Sequence, residues 1–371
     1  MKITILQGAF FPVPPHRGGA IEKAWHSLGQ EWARLGHDVT HISRRFGNLP
    51  TDSYEGGVHH IRVRGAEATP NSYYLKLKEI PYVLRAKSQL PKSDILITHA
   101  FWAPILLPKE KYGKIYVHVG RFPKGQLSLY GKAAILQAPS KAIADAIATQ
   151  CPKLADRVSV QPYPLSLPAS PKIPFEEKEN KILYAGRIHP EKGVLELIQA
   201  WNRIDPKDKE GWKLEIRGPW KKEEGGAGSL YLEKIKKVSG PEVEILDPLF
   251  DPNALQKEYQ QAKVFVYPSL AEKGETFGLS VLEAMSAGCV PLVSSLPCFR
   301  DFTRDQQNAR VFNHKEEDLS AALCNALGDL LKHISLLPGL SQAAWETAKK
   351  YQITEVANSY VGDFNKLLGG R

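Results

Sequence analysis

The sequence predicts an α/β protein with two domains, each a doubly wound parallel sheet. Its 371 residues exceed what a single hydrophobic core usually organises. Short β-rich runs alternate with helical runs along the whole chain, which is typical of βαβ units. Five prolines fall within residues 162–174, which read PYPLSLPASPKIP. We therefore expect the interdomain linker in that segment.

The first domain is expected over residues 1–165. Residues 21–36 predict an amphipathic helix that ends at Gly36, because Trp25, Leu28 and Trp32 share one stripe. A second helix is expected over 140–150. Strands are expected at 2–8, 37–43, 58–65, 94–100, 114–120, 133–140 and 157–164. The adjacent His59 and His60 are interpreted as a solvated strand end rather than a metal pair.

The second domain is expected over residues 175–349. Its predicted strands lie at 181–187, 212–219, 242–248, 262–269, 289–295 and 309–313, with helical runs between them. A final amphipathic helix, at about 350–371, follows all the strands. We expect it to pack back on the first domain.

Composition favours a soluble, cytoplasmic protein. Apolar residues make up 43% and charged residues 24% of the chain, which is ordinary for a globular protein. The most apolar stretch, residues 100–108, is far shorter than the roughly 18 residues that a membrane span needs. The four cysteines show no CxxC spacing, so the sequence indicates neither a zinc knuckle nor a disulfide framework.

The net charge of +9 is concentrated in the first half. Residues 1–160 contain 22 Lys and Arg against 11 Asp and Glu. This excess fits an anionic partner such as phospholipid headgroups, a lipid diphosphate or an acidic glycan, or else a surplus that favours solubility. Residues 72–92 mix aromatic, leucine and basic residues, so they predict either a helix lying on an anionic membrane or a helix with an ordinary core face. No nucleic-acid motif is present, and we expect no nucleic-acid partner.

Two glycine-containing segments follow predicted strands and begin helices, where open α/β sheets bind their ligands. The first, residues 10–22, contains Gly18 and Gly19, which fit either a plain turn or a close backbone approach to a ligand. The second, residues 186–197, places Arg187 at a strand end and Lys192 in the first turn of the next helix. Two cations across such a turn could hold a diphosphate from two directions.

A third segment, residues 268–295, carries Glu275 in a turn and Glu283 in the helix that follows. If the stretch between them were helical, they would lie about 12 Å apart. That separation exceeds the ~5–9.5 Å of a hydrolase carboxylate pair, so two separate hydroxyl-bearing groups of one elongated ligand fit better. Backbone N–H groups from Thr276 to Leu279 would lie at the helix N-terminus and could hold an anion or a hydroxyl group.

These segments together resemble the retaining glycosyltransferases of family 4. The E-x7-E spacing of Glu275 and Glu283, the segment AGRIHPEKG and the first-domain RGGAIE carry the resemblance, with YVHVG resembling a strand that ends in a histidine. The resemblance implies the GT-B fold, in which two doubly wound Rossmann-like domains face each other across a cleft. It assigns acceptor handling to the first domain and the nucleotide-sugar donor to the second.

The resemblance also implies roles for individual residues. Arg187 and Lys192 would bind the donor diphosphate, and Glu283 the ribose hydroxyls. His118 would lie near the donor sugar and the reacting centre. The remaining donor-binding residues would be Glu275, Thr276, Phe277, Gly278 and Leu279 for the sugar, Leu249 for the base, and Gly18 and Gly19 for the phosphate.

The implied activity is transfer of a hexose, with retention, from a UDP- or GDP-linked sugar to a glycan or lipid-linked acceptor in polysaccharide or glycolipid synthesis. We expect no cofactor, because the sequence has no DxD triplet for a divalent metal and Arg187 with Lys192 could neutralise the leaving diphosphate. We expect a cytoplasmic protein, with peripheral contact at the inner face of the membrane. The sequence departs from the family pattern at two places. Val119 follows His118 where the family often has Asp. The loop at 295–301 reads SLPCFRD where the family often has Gly-Gly-x-x-Glu. A nucleotide-sugar epimerase of the same fold and a non-catalytic sugar-nucleotide binding protein stay open as alternatives.

Overall fold

The computed structural model describes residues 1–16, 19–69, 71–165 and 173–369. The chain divides into two compact units, Met1–Ser166 with Ile353–Arg371, and Leu167–Gln352. Most of the predicted linker, residues 166–172, lies outside the described residues.

The first unit is built on an eight-stranded sheet in the order β3-β4-β2-β1-β5-β6-β7-β8. All neighbouring strands are parallel except β3 and β4, which pair antiparallel. The strands are β1 Lys2–Leu6, β2 Asp38–Arg44, β3 Asp52–Glu55, β4 Val58–Val63, β5 Ile95–Thr98, β6 Lys114–His118, β7 Ile135–Ala138 and β8 Val158–Val160. The helices are α1 Ala20–Arg34, α2 Ser72–Gln89, α3 Ala103–Leu106 and α4 Lys141–Gln150, with α11 Ile353–Leu367 from the end of the chain.

Both faces of this sheet are covered, because its strands alternate buried side chains between two cores. Ile3 and Ile5 of β1 pack with α1 and α11, whereas Leu6 packs with residues of α2 and α4. Trp32 of α1 donates its indole N–H to the Ala357 carbonyl of α11 at 3.1 Å. The last helix therefore completes the core of the first unit.

The second unit contains a six-stranded, fully parallel sheet in the order β11-β10-β9-β12-β13-β14. The strands are β9 Glu179–Ala185, β10 Lys213–Arg217, β11 Val243–Leu246, β12 Ala262–Tyr267, β13 Val290–Ser294 and β14 Arg310–Phe312. The helices are α5 Val194–Arg203, α6 Ser229–Val238, α7 Pro252–Gln261, α8 Leu279–Ser286, α9 Leu319–Lys332 and α10 Leu337–Lys349. The strand order reverses between β9 and β12, and such a switch point is where open α/β sheets bind ligands.

The predicted two-domain α/β fold is confirmed, with one strand missed and one interpretation wrong. The sequence DSYE of β3 has no apolar alternation, so it gave no strand signal. His60 is fully buried rather than solvated, because β4 is an internal strand of the sheet. No helix within the described residues is long and apolar enough to cross a membrane.

Candidate functional site

Arg187 lies two residues beyond the carboxyl end of β9, at the switch point. One guanidinium nitrogen donates to the Gly225 carbonyl at 2.9 Å, and another donates to Glu191 at 2.7 Å. The Arg187 backbone carbonyl in turn accepts from the Tyr184 hydroxyl at 2.7 Å. With 41% of its side chain exposed, Arg187 is anchored on one side and open to solvent on the other.

Lys192 lies in a single 3-10 turn, Pro190–Lys192, and not in the first turn of the next helix as predicted. Gly193 follows it with φ of 70°, and a side chain at Gly193 would overlap the Pro268 carbonyl. This left-handed residue separates the turn from α5 and lets the chain pass close to the end of β12.

The Lys192 ammonium donates to a Glu275 carboxylate oxygen at 2.6 Å. The two side chains are only 5% and 12% exposed. Tyr267, the last residue of β12, lies beneath them with its ring 5.4 Å from the Lys192 ammonium. Burial raises the pKa of Tyr267 well above its usual range, and its hydrogen bond to Glu275 raises that pKa further.

The structure thus joins two predicted motifs that are 83 residues apart in the chain. Arg187, Glu191, Lys192 and Glu275 form two ion pairs at the carboxyl ends of β9 and β12. The Lys192 ammonium and the Arg187 guanidinium can still donate further hydrogen bonds, since Lys carries three N–H donors and Arg five. Such a cluster can bind a phosphate group and stabilise negative charge that develops on it.

The turn after Glu275 leads into α8, which begins at Leu279. Gly278 is the N-cap residue with φ of 94°, and the Phe299 ring packs where its side chain would lie. Phe277 is 2% exposed and packs against Phe302, so its side chain belongs to the core. Phe277 can therefore offer a ligand only its backbone, whereas Thr276 and Leu279 are half-buried.

Glu283 lies in the second turn of α8, as predicted, and is half-buried. Its carboxylate is close enough to buried Tyr259 to raise the pKa of that phenol, although burial is the larger cause. Its neighbours Leu282 and Ala284 are fully buried, so Glu283 is the polar position of an otherwise apolar helix turn.

The other predicted positions are distributed over both units. Leu249 is half-buried and lies three residues beyond β11 in the second unit. Gly19 is the N-cap residue of α1 in the first unit, with φ of 95°, and Gly18 lies outside the described residues. His118 ends β6 in the first unit and is 3% exposed.

No group of three or more His, Cys, Asp or Glu side chains within the described residues is arranged to hold a metal ion.

Two members of the site were absent from the sequence prediction. Glu191 stands four residues after Arg187, a spacing that commonly pairs opposite charges and could have revealed it. Tyr267 gave no signal beyond its place at a strand end.

A family model described as "Glycosyl transferases group 1" matches residues 168–333, which lie within the second unit. One curated relative is the GDP-mannose:cellobiosyl-diphosphopolyprenol alpha-mannosyltransferase of Xanthomonas oryzae. It is 27% identical over 192 residues, which cover 51% of this chain and 47% of that protein. The chain spans about half the length of the curated relatives it matches.

Solved structures match the fold over nearly the whole chain. Sucrose-phosphate synthase from Thermosynechococcus elongatus superposes with a TM-score of 0.78 and 18% identity, covering 99% of each chain. HepE from Anabaena, solved in complex with UDP and glucose, gives a TM-score of 0.72 and 14% identity, covering 99% of this chain and 100% of that one. The second unit is therefore similar to the group 1 glycosyltransferases, and the chain has the GT-B fold of these solved structures.

Proposed function

We propose that this protein is a retaining hexosyltransferase that uses a UDP- or GDP-linked sugar and acts on a glycan or lipid-linked acceptor. The observation that carries the proposal is the Lys192–Glu275 contact, which brings the predicted diphosphate and sugar positions together at the switch point. The Xanthomonas oryzae relative, whose name specifies GDP-mannose and a diphosphopolyprenol acceptor, supports a lipid-linked acceptor. The Anabaena structure with UDP and glucose supports a nucleotide donor.

The paired state of Glu275 supports a retaining course. Glu275 already pairs with Lys192, so it is poorly placed to act as a free nucleophile. A same-face substitution, in which the leaving phosphate accepts the proton of the acceptor hydroxyl, needs no second carboxylate. Arg187 and Lys192 would stabilise the negative charge on the departing diphosphate.

Calorimetry with UDP, GDP and ADP, followed by donor hydrolysis and transfer assays, tests this proposal. We expect micromolar to millimolar binding of one diphosphate and slow hydrolysis of the matching sugar donor. NMR of the first-formed product would report the anomeric configuration. Binding without any turnover would favour a non-catalytic sugar-nucleotide protein, and conversion of the donor to its epimer would favour an epimerase.

Replacing Glu283 by alanine should weaken binding of the sugar nucleotide by about tenfold to 100-fold, the scale of a lost hydrogen bond to a charged group. The free energy of unfolding should change much less, because Glu283 is only half-buried. Calorimetry and urea unfolding measure the two effects separately. Glu233→Ala, an exposed change on α6, is the matched control. An unchanged dissociation constant for Glu283→Ala would remove the ribose role.

We also propose peripheral contact between the first unit and an anionic membrane, at the cytoplasmic face. Helix α2 exposes Tyr73 by 68% and Tyr74 by 60%, with Leu77 and Leu84 also exposed. Basic residues lie along the same helix. Aromatic, leucine and cationic side chains together can lie at a headgroup interface without inserting.

Replacing Lys76, Lys78, Arg85 and Lys87 of α2 by glutamine should reduce binding to anionic vesicles on the order of 1,000-fold at low salt, since each of the four cations near such a surface contributes roughly 1 kcal/mol. Wild-type binding should fall steeply toward about 0.5 M salt, where the Debye length is only a few ångström. Co-sedimentation with vesicles measures both effects, and nucleotide affinity should not change.

The control neutralises four exposed lysines of the second unit, namely Lys234, Lys236, Lys237 and Lys257. It makes the same charge change and should retain vesicle binding. Equal binding of the wild type to neutral and anionic vesicles would contradict the membrane proposal. A soluble oligosaccharide acceptor would then be favoured.

A further inference from the structure

A cleft of about 200 Å³ lies at the amino ends of β6, β7 and β8, which are parallel neighbours in the first unit. Lys114 begins β6, and Arg157 directly precedes β8. Open α/β sheets bind their ligands at the carboxyl ends of the strands, so this cleft is at the opposite edge of the sheet. Its charged lining residues are Lys109, Glu110, Lys114, Lys132 and Arg157.

The lining of the cleft carries a net charge of +3, from four cations and one carboxylate. The Lys114 ammonium donates to Glu110 at 2.9 Å. Lys132 and Arg157 instead donate to backbone carbonyls, and neither pairs with a carboxylate among the described residues. Positive charge of this kind in a cleft concentrates the electric field and attracts anions.

Backbone carbonyls hold two of these cations in place without neutralising them. The Lys132 ammonium donates to the Ile105 carbonyl at 2.7 Å and to the Leu107 carbonyl at 3.0 Å. One guanidinium nitrogen of Arg157 donates to two carbonyls of the loop before β7, at 3.0 Å and 2.9 Å. Since Lys carries three N–H donors and Arg five, both side chains keep donors for a ligand. The two cations are therefore preorganised to receive an anion.

Glu110 has a backbone φ of 64°, which is uncommon for a residue other than glycine. It lies in a turn that is closed by a bridge to Gly113, and its carboxylate accepts from Lys114. Strained backbone of this kind persists where the surrounding structure fixes it, and it is frequent at ligand sites. Glu110 therefore occupies one cation of the cleft, and an incoming anion would compete with it.

We propose that this cleft binds a phosphate or diphosphate group through Lys114, Lys132 and Arg157. The planar guanidinium of Arg157 matches the spacing of phosphate oxygens, and the two ammonium groups can contact the remaining oxygens. A phosphate group carries about two negative charges at neutral pH, which the positive lining can balance. The cleft is smaller than the ~300–1,000 Å³ of pockets for larger ligands, which favours a compact anion.

The proposed site gives part of the basic excess of residues 1–160 a defined place. A phospholipid headgroup and a free phosphorylated compound present the same group to these cations. All of the lining residues belong to the first unit. The site therefore does not depend on the proposed transfer reaction.

Calorimetry with inorganic pyrophosphate at low salt tests the site. The full-length chain carries Arg187→Ala throughout, so that the proposed diphosphate cations of the second unit contribute little. We expect submillimolar binding, weakened on the order of 100-fold by Lys132→Gln with Arg157→Gln, the scale of two lost hydrogen bonds to a charged group. Glu110→Gln should strengthen binding about twofold to fivefold, the scale of an exposed ion pair, because it releases Lys114.

The matched control is Lys124→Gln with Lys141→Gln, which removes two exposed lysines of the same unit that do not line the cleft. It makes the same charge change and should leave pyrophosphate binding unchanged. Glu110→Gln also covers the case in which loss of the Arg157 contacts prevents folding, because its expected effect has the opposite direction.

Sedimentation with vesicles of phosphatidylcholine and phosphatidic acid identifies the source of the phosphate. Weaker vesicle binding by Lys132→Gln with Arg157→Gln than by the control would assign the site to a lipid headgroup. Equal vesicle binding would assign it to a free phosphorylated compound.

The inference would be overturned if the parent chain bound no pyrophosphate, or if the cleft variants and the control bound it equally well. Failure of the wild type to bind any nucleoside diphosphate would instead overturn the proposed function, and would leave the phosphate site standing.

Discussion

Replacing Lys192 by alanine should lower the rate of glycosyl transfer by at least about 100-fold, the scale of losing one preorganised charge contact in a transition state. The Lys192 ammonium is 5% exposed and fixed against Glu275, so little reorganisation is needed when the diphosphate departs. Arg187→Ala should give a loss of the same scale. Steady-state kcat and KM for the sugar nucleotide measure both losses.

A loss of stability must be distinguished from a loss of catalysis in these variants. Lys192→Ala leaves the Glu275 carboxylate, which is 12% exposed, without its cation. Removing one partner of a buried ion pair commonly costs about 3–5 kcal/mol. The double variant Lys192→Met with Glu275→Gln removes both charges, so it should recover much of that stability and none of the activity. Arg187, whose side chain is 41% exposed, should show the rate loss with a smaller change in unfolding.

A chelator supplies the second arm of this experiment. We propose that Arg187 and Lys192 neutralise the leaving diphosphate without a divalent metal, so EDTA should leave wild-type activity nearly unchanged. If activity disappeared with EDTA and returned with magnesium, the metal-independent mechanism would be wrong. Equal activity of Lys192→Ala and the wild type would refute the role of the cation itself.

The fold could be predicted because buried parallel strands leave a signal that survives in a single sequence. Runs such as KVFVY at 263–267 are apolar on both faces, since helices cover both sides of the sheet. The edge strand β3 was missed, because its sequence DSYE is mostly exposed and owes its conformation to pairing with β4. Edge strands of this kind carry little hydrophobic information.

The local parts of the site could be predicted, and the contacts between distant parts could not. Arg187, Lys192 and Gly193 fall within seven consecutive residues, and Gly278 is the left-handed N-cap residue of α8, so residue type and spacing were enough to select these segments. The pairing of Lys192 with Glu275 depends on β9 and β12 being neighbours in the sheet. The contact between His118 and Gln137 could not be predicted for the same reason, because it depends on the register of β6 against β7.

The first unit should lose stability steeply as the pH falls below about 6.5, the ordinary pKa of histidine. His41 of β2 and His60 of β4 are directly opposite in the sheet, with their rings stacked at 5.6 Å, and His26 of α1 lies 5.8 Å from His60. No ring nitrogen of His41 or His60 has a hydrogen-bond partner within the described residues. Burial, with a smaller contribution from the Arg62 charge, lowers the pKa of His60 to about 4, and burial, with a smaller contribution from His60, lowers that of His41 well below its usual range.

The direction of the pH effect follows from proton binding. Between pH 6.5 and about 4 the unfolded chain protonates these histidines, whereas the folded protein keeps them neutral. Stability contributed by the neutral rings is therefore present above pH 6.5 and is lost as the pH falls. For His60 alone, a pKa lowered from 6.5 to about 4 corresponds to about 3 kcal/mol. His118 and His99, with pKa values of about 4 and about 3, add losses in the same direction. Since small domains are stable by only ~5–15 kcal/mol, we expect acid unfolding near pH 4.

His60→Phe provides the matched test, because phenylalanine keeps a ring stacked on His41 and brings no nitrogen that must stay unpaired. Urea unfolding between pH 8 and pH 4.5 should show a shallower pH dependence for this variant than for the wild type, with the difference growing as the pH falls. Exposed His333 supplies the control, since His333→Gln should leave the pH dependence unchanged. If His60→Phe and the wild type lost stability in parallel, the buried histidines would not be the source of the acid sensitivity. A stability gain at pH 8 would be expected as well, because two unsatisfied buried nitrogens are removed.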